Sequence, residues 1–255
     1  MIKLNISKCW SLVLLSLLII SCNDDADPSS EILSSYISAN ANLELAEVIA
    51  CAGGREEGLI GTADFPTDVF FYPVVGATDF RYYESLDIDN PDDLTAYTRV
   101  ELDDDPIFNG YLRKFNNVAF EGERFGIVTY VTPDSLHKSN PIRLKTSIKP
   151  TEVNPSLVDI DIDGVSPTFD WQDGLIDEDA IYFQVISDTD GNLISGTYTF
   201  ETNFTFYDLE NVVLNITDPS ISPMLDPDTE YNFTMMAVSL DNWVNLLIQE
   251  SFRTE

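Results

Sequence analysis

One histidine, His137, and three cysteines, Cys9, Cys22 and Cys51, are all that the 255 residues offer for imidazole and thiol chemistry. A zinc site of nitrogen and sulfur ligands needs about four such groups, so none is expected. A Ser-His-Asp triad has one imidazole to build on. His137 lies in Pro133-Asp134-Ser135-Leu136-His137-Lys138-Ser139-Asn140, a polar loop between two predicted strands where a solvent-exposed histidine is the plain expectation. Basic residues are equally scarce: 13 Lys and Arg face 44 Asp and Glu, for a net charge of −31. Residues 150–255 hold 21 acidic side chains and a single basic one, Arg253, against 23 and 10 in residues 22–149. Such a surface repels phosphate backbones and anionic headgroups, which excludes nucleic acid as a partner. Long apolar runs are missing too. The run Leu12 to Ile20 is shorter than the roughly 20 residues a membrane-spanning helix needs, and no later segment is apolar enough. Carboxylates are plentiful, yet nothing marks a pocket that would raise the pKa of one of a pair, so the chain reads as a non-enzyme.

What is present begins at the N-terminus. Lys3 and Lys8 precede the apolar run, which ends in Ile19-Ile20-Ser21-Cys22, a small residue before a cysteine. This resembles the lipobox of bacterial lipoproteins, and the resemblance implies cleavage before Cys22 and attachment of lipid to its sulfur. Residues 1–21 are then a signal peptide, and the protein is held at an envelope membrane by its lipid anchor. The acidic run Asn23-Asp24-Asp25-Ala26-Asp27 resembles the export tag of some Gram-negative surface lipoproteins; it reads equally as a solvated acidic tether. With Cys9 removed and Cys22 lipidated, Cys51 has no disulfide partner. Its apolar setting, Val48-Ile49-Ala50-Cys51-Ala52, suits a small buried hydrophobe better than a reactive thiol.

Residues 22–42, rich in Ser, Ala and Asn, read as a tether, with room for a short helix over 30–37. From Leu43 onward, short β-branched and aromatic runs alternate with Gly, Pro, Asn and Asp at sandwich spacing, and no helical period persists. The class is all-β. Leu225-Asp226-Pro227-Asp228-Thr229-Glu230-Tyr231-Asn232-Phe233-Thr234-Met235-Met236-Ala237 resembles the L-x-P-x-T-x-Y-x-F-x-x-x-A signature of fibronectin type III domains. The resemblance implies a tyrosine corner, Tyr231 returning its hydroxyl to the turn, with Tyr231, Phe233 and Met235 on one face. Pro167–Trp171, Ala180–Ile186 and Ser251–Thr254 resemble the family's second, third and last strands.

Residues 43–148 resemble a divergent copy, immunoglobulin-like in the wider sense. Asp68–Pro73 stands as the second strand, Gly76–Ser85 leads into the third, Phe120–Tyr130 is the corner strand and Pro141–Thr146 the last. Phe125 occupies the tyrosine position, so no hydroxyl closes that corner. The boundary is expected at Ile148-Lys149-Pro150-Thr151, giving tandem sandwiches over 43–148 and 149–255.

Three stretches are candidates for recognition. Asp159-Ile160-Asp161-Ile162-Asp163-Gly164 follows D-x-D-x-D-G with Asp170 at the twelfth position, the spacing of a calcium loop. The same residues alternate with Val158, Ile160 and Ile162 as on a first β-strand with an acidic outer face, and that reading is preferred. Asp241-Asn242-Trp243 lies between the last two strands. A tryptophan there either stacks on a sugar or fills a protein pocket, or folds back onto its own domain. Asp134-Ser135-Leu136 resembles a Gram-negative O-glycosylation site at Ser135. The expectation is an outer-membrane lipoprotein that binds a protein or glycan partner from the cell surface or the periplasmic face. The alternative is an accessory or scaffold subunit of an export or uptake complex.

Overall fold

The computed structural model describes residues 31–55, 62, 66–117, 122–176, 178–217 and 223–255. Residues 1–21, expected as a signal peptide, the expected lipidation site Cys22 and the start of the expected tether lie outside them. Residues from Glu31 onward, ahead of the expected Leu43, already pack on the first sandwich. Helix α1 (Leu33–Ala39) is too short to persist alone. It is held because Leu33 and Tyr36 are buried against Tyr83, Tyr97, Phe125, Ile127 and Leu136. The Tyr36 hydroxyl donates to Asp79 Oδ2 at 2.8 Å, and the Arg81 guanidinium lies 4.1 Å over the Tyr36 ring while its Nε donates to Asp79 Oδ1. Residues 31–42 therefore belong to the first sandwich instead of forming a tether.

The first sandwich comprises β1 (Glu44–Val48), β2 (Ala50–Gly54), β3 (Thr67–Phe71), β4 (Thr78–Ser85), β5 (Thr98–Val100), β6 (Asp104–Ile107), β7 (Leu112–Asn117), β8 (Arg124–Val131), β9 (Ser135–Ser139) and β10 (Ile142–Leu144). The second comprises β11 (Glu152–Val153), β12 (Val158–Asp161), β13 (Thr168–Trp171), β14 (Asp179–Asp188), β15 (Leu193–Thr199), β16 (Asn203–Thr205), β17 (Val212–Asn215), β18 (Glu230–Ser239) and β19 (Val244–Arg253). The sheets run β1-β9-β8-β4-β5, with β10 on β8, over β2-β3-β7-β6; and β11-β19-β18-β14-β15-β17 over β12-β13-β16. In both halves the opening strand divides between sheets. Its first part runs parallel to a strand from the end of the same half, β1 with β9 and β11 with β19, and its second part antiparallel to the next strand. The architecture is two fibronectin type III-like β-sandwiches, as the strand patterns lead one to expect.

Alternation places the cores. Tyr231, Phe233 and Met235 of β18 join Phe169 and Trp171 of β13 in the second core, where the Phe169 and Phe233 rings stack at 4.1 Å. The Tyr231 hydroxyl accepts from the Asp226 main-chain N–H at 2.8 Å, closing the expected corner. In the first sandwich Phe125 leaves that bond unmade. Gly126 beside it lets the buried Tyr82 ring lie across β8, and the Tyr82 hydroxyl accepts from Asn117 Nδ2 and donates to Glu84.

The opposite faces of β14, β18 and β19 are buried as well. Phe183, Val185, Met236, Val238 and Leu247 meet Phe70 of β3 and Leu112 of β7, with Cys51 and Tyr72 packed alongside. The outer face of the β2-β3-β7-β6 sheet thus lies on the six-stranded sheet of its neighbour, and the sandwiches stack through an apolar layer. Burial there pushes the Cys51 thiol up to about 12. In a Cys22→Ser chain, a thiol reagent at about pH 8 is expected to label Cys51 only after denaturation; fast labelling of the native protein would contradict this packing.

Candidate functional site

The candidate turn for offering Trp243 to a ligand is used inside the molecule. Trp243 has no exposed surface. It packs into the first core with Val48, Ala52, Val69 and Phe71, and its Nε1 donates to Lys149 O at 2.9 Å. Ala52 N–H donates to Asn242 O at 3.0 Å, Arg143 N–H to Asp241 O at 2.9 Å, and Asn242 Nδ2 to Pro141 O at 3.0 Å. Lys145 Nζ reaches Asp241 Oδ2 at 2.8 Å. Burial alone would raise the Asp241 carboxyl, but hydrogen bonds from Lys145 and Ser239 hold it below the usual range. Asp241, Asn242 and Trp243 therefore form a latch between the sandwiches and no exposed aromatic platform. The tryptophan folds onto the neighbouring sandwich and not onto its own.

The acidic stretch is strand. β12 pairs antiparallel with β13, setting Asp159 opposite Asp170 and Asp161 opposite Thr168; all four carboxylates, Asp163 included, are exposed. An extended hairpin cannot wrap a cation, so the calcium-loop reading of Asp159, Asp161, Asp163 and Asp170 gives way to an acidic sheet face. Among the described residues no group of three or more His, Cys, Asp or Glu is gathered closely enough to hold a metal. Like charges directly opposite one another destabilise a sheet by up to about 1 kcal/mol. Asp170→Lys is accordingly expected to raise the thermal midpoint by a few degrees, with calcium and EDTA without effect. A calcium-dependent rise that this substitution abolishes would restore the loop.

Ser135 and His137 also move from the expected loop into a strand, β9, paired with β1 on one side and β8 on the other. The His137 ring is buried and stacks on Tyr130 at 4.5 Å, its Nδ1 3.4 Å from Glu47 O. Polar composition hid this strand, since two neighbouring strands supply the ladder that local propensity does not. Ser135 is half-buried where β9 begins, its carbonyl accepting from Thr132 N–H at 2.9 Å.

Where the stacked sheets part, a groove of about 650 Å³ opens between the sandwiches. Tyr72, Phe80, Tyr111 and Arg113 line it from the first, Asn215 and Thr217 from the second, with Val74, Ala77 and Ile216 adding apolar surface. The Arg113 guanidinium lies 4.9 Å over the Phe80 ring and is ion-paired with Asp104. Burial, and then the neighbouring Tyr111 phenol, raise the Tyr72 hydroxyl above its usual range. The hairpin beneath is strained: Phe108 and Asn109 both have positive φ, 50° and 47°. Asn109 Oδ1 accepts from Leu193 N–H of the second sandwich at 3.0 Å, fixing the hairpin across the groove. None of these residues stood out in the sequence. The available signal was an Asn-Gly turn flanked by aromatics, Phe108-Asn109-Gly110-Tyr111, which marks a hairpin but no groove.

No family model matches the chain, and no curated protein matches it. Among solved structures it is similar to the selenomethionine-substituted chicken interferon gamma receptor alpha chain, at 12% identity over 81% of this chain and 96% of that one, with a TM-score of 0.23. It is similar also to the FN1–FN3 domains of chicken CNTN1, at 13% identity over 84% of this chain and 68% of that one, with a TM-score of 0.29. The fold assignment rests on strand order and the Tyr231 corner, independently of these likenesses.

Proposed function

We propose that this chain is a lipid-anchored binding module of a bacterial outer membrane, tethered at Cys22, that takes a neutral glycan in the side groove between its sandwiches. The groove carries the reading. Its size suits a small ligand, and aromatic faces with a few fixed polar groups are what a sugar ring stacks on and bonds to. The acidic surface disfavours anionic ligands, which leaves neutral or basic ones. The strand-end turn at Trp243 is occupied by the latch, so recognition falls to the flank of the stack.

Binding to a panel of immobilised neutral polysaccharides tests the reading. Tyr111→Ala is expected to weaken any retained ligand by about two- to tenfold while leaving the thermal midpoint near its native value, since one stacking contact at a half-exposed ring contributes about 0.5–1.5 kcal/mol. Retention unaffected by Tyr111→Ala would remove the groove from consideration. Cys22→Ser is expected to shift the protein from the membrane fraction to the soluble one. The alternative role, a scaffold subunit of an export or uptake complex, draws on the rigid apolar stacking of the two sandwiches. It predicts co-purification with envelope proteins that survives Tyr111→Ala.

A further inference from the structure

Sheet edges are where a β-protein must prevent other chains from adding, and most edges here are blocked. Glu31 and Ile32 cover β5, with Arg99 N–H donating to Glu31 O at 2.8 Å. The latch and linker cover β2 through Ala52 N–H to Asn242 O and Thr151 N–H to Gly54 O. β6 carries two aspartates and a proline, and β1 and β12 carry two carboxylates each.

β17 differs. It ends its six-stranded sheet among the described residues, and its sequence Val-Val-Leu-Asn has neither charge nor proline. Val213 and Leu214 are 49% and 40% exposed, and Phe200 close by is 64% exposed. Leu214 pairs with Tyr198, and Ile216 N–H donates to Gly196 O at 2.9 Å. The alternation of an antiparallel ladder then turns the main-chain groups of Asn215 outward, and Val213 has no partner on β15.

Charge indicates what would add there. Glu201, Asp208 and Glu210 are exposed around this edge. Arg253, the only basic residue of 150–255, is bound to Asp228, and Arg113 across the groove is bound to Asp104. A second copy would bring the same acids against each other. We infer that β17 is a docking edge for an extended, cationic segment of a partner protein, added as a further strand beside Val212–Asn215. Main-chain bonds would supply the attachment, alternate apolar side chains would cover Val213 or Leu214, and lysine or arginine on the other face would meet the carboxylates. The edge borders the sugar groove at Asn215, but strand addition uses its main chain and does not depend on the groove's aromatic rings.

The probe is a fluorescent peptide of alternating valine and lysine, titrated into the full chain carrying Cys22→Ser and followed by anisotropy. Saturable binding is expected. It should weaken at least about tenfold when alternate peptide amides are N-methylated, when glutamate replaces lysine, or in Leu214→Lys, which places on the edge the charge that other edges carry. Tyr111→Ala should leave it unchanged, which separates this edge from the groove. Equal binding of the N-methylated peptide would reduce the interaction to charge alone and overturn the proposal, whatever the folding state of Leu214→Lys. So would absence of binding, or a dimer of the native chain that Leu214→Lys dissolves, which would make a second copy the occupant.

Discussion

Trp243→Ala is expected to cost about 3–5 kcal/mol, the range for deleting a fully buried large aromatic, and to divide one cooperative unfolding transition into two. The ring fills space in the first core although its main chain belongs to the second sandwich. Its removal leaves a cavity among Val48, Ala52, Val69 and Phe71, strips the Lys149 carbonyl of its donor, and loosens the Ala52 to Asn242 main-chain bond beside it. Each sandwich keeps its own core, so the damage concentrates on coupling. Differential scanning calorimetry checks this. A single transition shifted by only a degree or two would mean that the apolar layer around Phe70, Leu112, Met236 and Leu247 holds the stack without the latch.

Gly126→Ala is the second large effect. A Cβ at this position would lie 2.4 Å from the Tyr82 hydroxyl oxygen and 2.8 and 2.9 Å from two ring carbons. The ring is fully buried, and its hydroxyl is engaged by Asn117 and Glu84, so it has nowhere to swing. Overpacking of this kind costs about 1–3 kcal/mol, with the lost hydrogen bonds adding to it. A thermal midpoint lower by several degrees is expected, and Tyr82→Leu in the same chain should recover part of it. If Gly126→Ala were neutral, β8 would have to sit farther from Tyr82 than described. The close approach also explains how the first sandwich keeps its shape with Phe125 at the tyrosine position. Tyr82, Glu84, Asn117 and Arg124 form a local polar network there, with Arg124 Nη1 3.2 Å from Glu84 Oε2.

Most strands were legible because they rest on period-two patterning and turn residues. The Tyr231 signature fixed the second sandwich, and Asp68–Pro73 and Gly76–Ser85 marked strands of the first. The miss at β9 has a physical cause: Ser135–Ser139 carries no apolar alternation, and it is strand because β1 and β8 flank it. The helix at Leu33–Ala39 was legible as a segment but not as part of the body, since its anchoring depends on distant Tyr83, Tyr97 and Ile127. The alternatives left open for the aspartates at 159–163 and for Trp243 could be resolved only by what lay opposite each of them.

The sequence alone determined the all-β class, two sandwiches, the inward face of β18, the closed corner at Tyr231 and the strongly acidic charge, because each is set by local pattern or by composition. The tertiary structure alone decided that the sandwiches stack face to face, that Trp243 is a latch, that a groove opens beside Tyr72 and Tyr111, and that no strand among the described residues covers the outer edge of β17. Those features depend on which surfaces meet across long sequence separations. A strand buried on both faces, such as β18, carries in its own residues no record of which neighbour covers the second one.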